Sequence, residues 1–418
     1  MEKRTFLKQL AALGLGTPLF FPELSRLVAS VDHRPADAVA RDEEFWLRVR
    51  AGYRLKPEYI NLESGYYCIQ PEATLDNFIH HVREVNYQGS YYMRTVQWDN
   101  KQRITTRLAE LAGCEADELA ITRNTTESLD LVIGGQAWEA GDEAVMAEQD
   151  YGAMLDMFEL QAQRHGIINR RVSVPNHPRS DSEIVELYAN AITPRTRLLM
   201  VCHLVNITGQ ILPIRQICDM AHEKGVDVMV DGAHAFAQFP FSIPDLHCDY
   251  YGASLHKWLS APLGAGLLYV KKEKIPGLWP LLAEMNREPD DLRRLNHTGT
   301  HPVHTDLAIG NAIDYYKILG PERKEARLRY LQQYWTSEVR DLPNITVNTP
   351  VEEQRACAIA NVGVANLTPR ELADKLMDDY RIWTVAINRP GVRGVRISPN
   401  VFTTTEELDV LVRALKEM

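Results

Sequence analysis

The sequence predicts an α/β protein: a large domain with a mostly parallel seven-stranded sheet between helices, followed by a smaller α+β domain. Short apolar runs of strand length alternate with amphipathic segments of helix length, a pattern that favours right-handed crossovers and a sheet covered on both faces. The chain of 418 residues is long enough to form two domains with ample core. From about residue 306 a long helical run precedes further short strands and helices, which indicates the separate smaller domain.

The elements follow one another in a regular order. We predict strands at residues 119–122, 143–147, 167–174, 198–203, 226–230, 250–253 and 266–270. We predict helices at 128–136, 153–165, 182–191 and 214–224. The last two strands are joined so closely that an antiparallel strand is expected there. The domains are then residues 1–40 (export leader or N-terminal helix), 41–305 (large domain with an N-terminal arm) and 306–418 (a long helix to about residue 342 and the small domain).

Charge and cysteine content argue against several classes of protein. The 46 basic and 56 acidic residues give a net charge of -10, and no Lys/Arg run offers a surface for phosphates, so nucleic-acid binding is not expected. The six cysteines are scattered without a Cys-x-x-Cys pair, which argues against a zinc site or a disulfide framework. We expect them to be reduced and mostly buried.

The N-terminus resembles a twin-arginine export signal, with a lysine in place of the first arginine. Lys3-Arg4-Thr5-Phe6-Leu7-Lys8 precedes a mildly apolar run that is too short and too interrupted for a stable membrane span. Small residues at 28–30 and 38–40 offer cleavage sites. We therefore expect a periplasmic protein. The alternative is an amphipathic N-terminal helix that packs on the body of a cytoplasmic protein.

An acidic residue at a strand end and a lysine 26 positions later carry most of the chemical information. Asp231 ends an apolar strand, and parallel sheets form ligand sites outside the carboxyl ends of their strands. Lys257 lies between His256 and Trp258, where desolvation lowers the amine pKa and makes it more nucleophilic. Alone, the carboxylate fits a helix cap and the lysine fits a surface residue. Together they suit pyridoxal 5′-phosphate (PLP), which needs an amine for its aldehyde and a carboxylate for its pyridine nitrogen.

A third group of residues predicts an anion site. Asn124-Thr125-Thr126 follows a strand and opens a helix, where hydroxyls and free backbone N–H groups are able to bind a phosphate. Helix capping alone explains only one of these side chains.

These motifs, in this order, resemble the class V aminotransferases of PLP fold type I, in the branch of isopenicillin N epimerase-like proteins and cysteine desulfurases. The resemblance covers roughly residues 60–418. It implies that Lys257 holds the cofactor as a Schiff base and that Asp231 pairs with the pyridine nitrogen. His234, where the family more often has glutamine, and Asn206 would lie near the cofactor's O3′. The phosphate would be held by Asn124, Thr125, Thr126, Ser254 and His256.

The resemblance also implies a homodimer with shared active sites. Thr300 matches a threonine that the family donates from the neighbouring subunit. Tyr151 falls where the family places a ring over the cofactor, although a core tyrosine explains it equally well. Arg396 matches the arginine that binds the substrate α-carboxylate. Arg389 and Arg393 nearby would bind a second acidic group or remain solvated.

The implied function is a PLP-dependent enzyme that acts on an amino acid or an amino-acid-derived metabolite through an external aldimine, by aminotransferase or epimerase-like chemistry. A β-lyase acting on a sulfur-containing amino acid is the second hypothesis, and a non-catalytic PLP-fold dimer is the third. Residues 383–391, which correspond to the desulfurase loop, contain no cysteine, so desulfurase chemistry through a persulfide is disfavoured. The motifs do not choose between transamination, racemisation and elimination.

Overall fold

A seven-stranded sheet forms the centre of the larger domain. The structure, a computed structural model, describes residues 21–282 and 284–418. The strands are β1 Ile60–Asn61, β2 Leu119–Thr122, β3 Glu143–Ala147, β4 Ile168–Val172, β5 Thr196–Cys202, β6 Asp227–Asp231, β7 Tyr250–Ser254, β8 Gly266–Val270, β9 Ile345–Val347, β10 Ala360–Val364, β11 Ile382–Trp383, β12 Val385–Arg389 and β13 Val392–Ile397. The central sheet has the order β2-β8-β7-β6-β5-β3-β4, and β8 runs antiparallel to both of its neighbours.

Helices cover both faces of this sheet and build much of the small domain. The helices are α1 Pro22–Ala29, α2 Ala36–Ala40, α3 Glu43–Arg50, α4 Glu72–Gln88, α5 Gln97–Ala112, α6 Thr125–Gly135, α7 Gly152–His165, α8 Asp181–Ala191, α9 Ile214–Glu223, α10 Val303–Leu319, α11 Pro321–Val339, α12 Pro369–Tyr380 and α13 Thr405–Glu417. The predicted fold class, a mostly parallel sheet with one antiparallel strand, is confirmed.

Successive side chains of the central strands pack alternately into two separate cores, one on each face of the sheet. Val201 and Val230 pack into the cluster on one face, and Met200 and Met229 pack into the cluster on the other. Because successive strand residues point to opposite faces, a strand buried on both sides must be apolar throughout. That requirement explains why these strands were visible in the sequence as continuous apolar runs.

The small domain is a four-stranded antiparallel sheet of order β12-β13-β10-β9 with its own core. The N-terminal arm joins it, because β1 pairs in parallel with β11. Residues 383–391, expected to correspond to the desulfurase loop, mostly form β12. β12 is an edge strand whose apolar residues Val385-Ala386-Ile387 are only half-buried and are followed by the exposed Asn388-Arg389, so it is shorter and more polar than the runs that mark the central strands.

The predicted single long helical run is wrong in one respect, since it consists of two helices. Gly320 has φ of +92°, which favours glycine, and Pro321 begins α11 at a position where its missing N–H is not needed. A proline inside a continuous helix would instead lose a backbone hydrogen bond and clash with the preceding turn. The chain therefore breaks between α10 and α11.

The first described residues pack on the body of the protein. Phe21 contacts Tyr315 edge-to-face at 5.6 Å between ring centroids. The Trp46 indole N–H donates to the Val39 carbonyl at 2.8 Å, and Arg327 donates to the Ala40 carbonyl at 2.9 Å. The twin-arginine-like motif lies in residues 1–20, outside the described residues. Within the described part of the chain, no helix combines the length and apolarity needed to cross a bilayer.

Candidate active site

Most of the predicted site residues meet at one edge of the central sheet. Asp231 ends β6 and Ser254 ends β7, and the two strands run parallel, so both side chains lie at the same edge. β2 is antiparallel to β8, which is antiparallel to β7, so the carboxyl end of β2 reaches this edge as well. Thr125, at the start of α6, is therefore brought beside Ser254 despite a sequence separation of 129 positions.

Lys257 and His234 form the centre of the site. The Lys257 amine lies 3.0 Å from Nε2 of His234. Burial lowers the pKa of Lys257 to about 8, and the carboxylate of Asp231 opposes that shift. Burial, reinforced by the charge of Lys257, holds the pKa of His234 well below its ordinary value, so the ring is neutral. A protonated Lys257 can only donate, so Nε2 accepts and Nδ1 carries the ring proton.

The start of α6 supplies hydroxyls and backbone N–H groups. The Thr125 backbone N–H donates to the Ser254 hydroxyl at 2.9 Å, and the two hydroxyl oxygens lie 2.7 Å apart. Thr126 is half-buried in the same turn. Asn124 is the N-cap, and its side-chain oxygen accepts from the Glu127 backbone N–H at 2.9 Å. The oxygen of Asn124 is thus used by the helix, which leaves its amide N–H₂ group for a ligand.

Arg396 lies close to this cluster in a setting that the sequence analysis did not foresee. Its side chain and that of Glu63 are only 7% and 6% exposed, and they form a side-on pair through Nε (3.1 Å) and Nη2 of the guanidinium. The backbone N–H of Tyr66 (2.9 Å) and the hydroxyl of Ser398 (3.3 Å) donate to the same carboxylate. Glu63 is therefore held in place from both sides.

The guanidinium of Arg396 keeps one edge available. Nη1 donates to the Asn206 carbonyl at 3.2 Å, while the second N–H groups of Nη1 and Nη2 point away from Glu63. Gly65 lies against the face of the guanidinium: a Cβ at this position would come within 2.7 Å of Cζ. Glu63 and Gly65 thus fix the plane and the free edge of the arginine.

A cavity of about 380 Å³ opens beside these residues. We call it the mouth cavity; it is lined by residues 148–152, 206–207 and 386–389. Tyr151, 47% exposed, and Asn206 both line it, so Tyr151 lies at the entrance and not in the core. Thr300 lies exposed in the segment before α10, outside the buried cluster.

The residues present suit PLP. Within the described chain, the ring Nδ1 atoms of His234 and His256 and the side-chain oxygen of Asn206 are buried without a hydrogen-bond partner, so polar ligand atoms would satisfy them. Burial raises the pKa of Asp231, and a ligand cation against this carboxylate would offset that cost. Lys257 would hold the aldehyde, Asp231 the pyridine nitrogen, and Thr125, Thr126, Ser254 and His256 the phosphate.

The cysteines have no nucleophilic role in this arrangement. Cys68 lies close enough to Lys257 to affect the pKa of its amine. Burial raises the pKa of the Cys68 thiol to about 12, and a buried thiol is a poor nucleophile. All six cysteines are free, and five of them are buried. Within the described residues, no group of three or more His, Cys, Asp or Glu side chains is arranged to hold a metal ion.

Two functional features escaped the sequence analysis. Glu63 and Gly65 occur in Leu62-Glu63-Ser64-Gly65, whose only sequence signal is an acidic residue after an extended segment. Lys324 is buried in α11 and donates to the carbonyl of Trp258, which directly follows Lys257. It therefore braces the loop that carries the central amine.

Comparisons with known proteins place the chain in a family. The family model described as "Aminotransferase class-V" matches residues 69–411. Isopenicillin N epimerase from Streptomyces clavuligerus is 30% identical, with 88% of this chain and 97% of that protein aligned. A cysteine desulfurase from Dickeya dadantii (strain 3937) is 25% identical, over 92% of this chain and 97% of that protein.

Solved structures share the fold. The apo cysteine desulfurase from Thermococcus onnurineus NA1 superposes with a TM-score of 0.77 at 20% identity, covering 88% of this chain and 98% of that one. A C-DES variant with glycine covalently linked to its PLP cofactor gives a TM-score of 0.77 at 21% identity, covering 88% and 99%. The match over residues 69–411 and the identity across nearly the whole chain lead to one assignment: this protein is a member of the class V aminotransferase family of PLP-dependent enzymes.

Proposed function

We propose that this enzyme acts on an α-amino acid by removing its Cα proton and returning a proton to it, in epimerase-like chemistry. The observation that carries the proposal is the buried Lys257 amine, 3.0 Å from a neutral His234 ring and close to Asp231 and Arg396. Bound PLP supplies an electron sink for the negative charge that remains when the Cα–H bond breaks.

Each residue has a defined task in this proposal. Burial lowers the pKa of Lys257 to about 8, near working pH, so its amine takes up the Cα proton on its own face readily; epimerisation then requires that a proton returns to the opposite face of Cα. His234 accepts a hydrogen bond from the protonated amine and fixes its position. The free edge of Arg396 binds the α-carboxylate with two parallel N–H···O bonds.

Epimerase-like chemistry is favoured over desulfurase chemistry on two grounds. Residues 383–391 contain no cysteine, and most of them form β12 in place of a loop able to carry a nucleophile. Two isopenicillin N epimerases are 30% and 29% identical to this chain, against 25% for the cysteine desulfurase from Dickeya dadantii. Transamination requires the same first proton transfer, and only the site of proton return differs.

The test is incubation of PLP-loaded protein with single L- and D-amino acids in D₂O. Deuterium at Cα with loss of optical purity supports the proposal. A keto acid formed with pyridoxamine phosphate indicates transamination instead, and sulfide released with a keto acid from cysteine or cystine indicates β-elimination. No exchange with any substrate, despite bound cofactor, supports a non-catalytic protein. Lys257→Ala is the control; borohydride should fix PLP to the native chain at Lys257 and leave the variant unlabelled.

We propose a homodimer whose subunits complete each other's active sites. Thr300 is exposed, and so are large apolar side chains such as Tyr87, Trp98, Trp279 and Met285. Exposed apolar groups of this size are typical of protein interfaces. Light scattering should give twice the monomer mass. Mixing inactive Lys257→Ala with a Thr300→Ala variant should restore part of the activity, because mixed dimers contain one intact site; no recovery on mixing contradicts shared sites.

We also propose that the N-terminal segment directs export of the folded enzyme to the periplasm. The support is the twin-arginine-like motif at residues 3–8. Both small-residue cleavage sites are partly buried, with Val28 at 8% and Val39 at 0% exposure, so we expect any processing to occur before Pro22. Cell fractionation and sequencing of the mature N-terminus test this. A cytosolic protein that retains Met1 contradicts it.

A further inference from the structure

We infer that the mouth cavity binds an acidic group at the far end of the substrate side chain, with Arg389 as the anion-binding residue. The preferred substrates are then amino acids that carry a second carboxylate, or a comparable anion, remote from Cα. This inference rests on the proposed function only in assuming that the α-carboxylate binds Arg396.

The position of the mouth cavity supports this assignment. Asn206 lines the cavity, and its carbonyl accepts a hydrogen bond from Nη1 of Arg396 at 3.2 Å. The cavity therefore begins beside the arginine that would hold the α-carboxylate. Its volume of about 380 Å³ lies in the range of sites for small molecules and exceeds what a methyl or hydroxymethyl side chain would fill.

Arg389 provides the charge at the wall of the cavity. It lies at the end of β12, and its guanidinium lies over the first turn of α7, since a Cβ on Gly152 would come within 3.1 Å of Nη2. Among the hydrogen bonds and ion pairs of the described residues, none involves the side chain of Arg389. Its planar fork is thus free to bind a carboxylate with two bonds, whereas Arg396 has its Nε–Nη2 edge paired with Glu63 and keeps only its other edge for the α-carboxylate.

Other charges around the cavity leave this role to Arg389. Asp150 is buried, and its Oδ2 accepts from the Ala147 backbone N–H at 2.7 Å within its own turn. Glu148 and Arg389 both line the cavity and are both exposed, so solvent and salt screen both charges at a distance; a carboxylate in the cavity gains through direct hydrogen bonds to Arg389, which Glu148 does not offer. The N-cap residue of α7, Tyr151, makes no side-chain cap, so the positive end of this helix adds to the attraction of an anion.

Arg393 offers a matched control. It lies on β13 opposite Asn388 of β12, is exposed, and is absent from the lining of the cavity. Its removal changes the net charge by the same amount as removal of Arg389, one strand away. If Arg389 acted only by long-range attraction, both substitutions would weaken ligand binding equally; if it contacts the ligand, only the Arg389 substitution would weaken binding.

The experiment measures ligand binding by calorimetry, without turnover. PLP-loaded protein is titrated with straight-chain dicarboxylates from succinate to suberate and with monocarboxylates of matching length. We expect one dicarboxylate length to bind more tightly than its monocarboxylate. Arg389→Ala should weaken that dicarboxylate by roughly 10- to 100-fold, as expected for the loss of a charge-assisted pair, and leave the monocarboxylate unchanged. Arg393→Ala should change neither.

Three results would overturn the inference: no preference for any dicarboxylate, a preference that survives Arg389→Ala, or equal losses from Arg389→Ala and Arg393→Ala. Failure of the proposed function gives a different result. In that case dicarboxylates still bind through Arg389, while the D₂O experiment shows no exchange at Cα with any amino acid.

Discussion

The buried pair of Glu63 and Arg396 yields the sharpest prediction. Substituting Glu63 by alanine leaves the guanidinium of Arg396, 7% exposed, without its carboxylate. Removing one partner of a buried pair costs about 3–5 kcal/mol, because the remaining charge is desolvated and uncompensated. Solvent screening weakens the attraction within surface ion pairs, but it has little effect here, since both side chains are shielded from water. Glu63→Gln keeps one acceptor oxygen, so we expect a smaller loss of about 1.5–3 kcal/mol.

A double-mutant cycle measures this coupling. Thermal or urea unfolding of the wild type, Glu63→Ala, Arg396→Ala and the double variant gives the interaction energy as the departure from additivity. We expect an interaction energy of at least about 2 kcal/mol, so that the double variant is more stable than the sum of the two single losses predicts. If the two losses add within about 0.5 kcal/mol, the side chains do not interact and this account of Arg396 is wrong.

A surface pair serves as the matched control. Glu44 and Arg48 form an ion pair at 2.7 Å on α3, but their side chains are 79% and 62% exposed. Exposed pairs of this kind contribute about 0–1 kcal/mol. Glu44→Ala should therefore change stability little. A loss as large as that of Glu63→Ala would show that the assay responds to charge in general and not to burial.

Three further predictions concern the site and the N-terminal segment. Because burial lowers the pKa of Lys257 to about 8, the rate at which PLP-free protein takes up PLP should rise with pH around a midpoint near 8, as the free amine appears; a midpoint above 10 contradicts the burial. Gly65→Ala should weaken carboxylate binding by roughly 10-fold or more, because the added Cβ would displace the Arg396 guanidinium. Gly277→Ala is the control: its added Cβ would have no atom within 4 Å, so carboxylate binding in the same titration should not change. Removing residues 1–41 should lower the melting temperature, because the hydrogen bonds of Trp46 to Val39 and of Arg327 to Ala40 are lost at about 1 kcal/mol each; an unchanged value contradicts this packing.

The strands that the sequence predicts correctly are those that contain an unbroken local run of apolar residues. β2, β3 and β8 begin and end at the predicted residues, because burial on both faces demands an unbroken apolar run. β12 was not predicted, because an edge strand is half-exposed and its apolar run stops after Val385-Ala386-Ile387. The site followed the same division. Asp231, Lys257 and the α6 start lie beside recognisable strand ends, whereas Glu63 meets Arg396 across 333 positions, a contact that no local pattern encodes.

The pairing of β1 with β11 has a mechanical consequence. The Leu62 backbone N–H donates to the Trp383 carbonyl at 3.1 Å, and the Ser398 N–H donates to the Leu62 carbonyl at 2.8 Å. The arm segment that carries Glu63 is therefore hydrogen-bonded to the small domain. Glu63, Arg396 and Arg389 therefore lie on the side of the small domain, while Lys257, Asn206 and Gly152 lie on the side of the central sheet. Any shift of the small domain relative to the sheet would carry both arginines together and change the width of the gap that a substrate spans. Substrate length would then report directly on how far the enzyme closes.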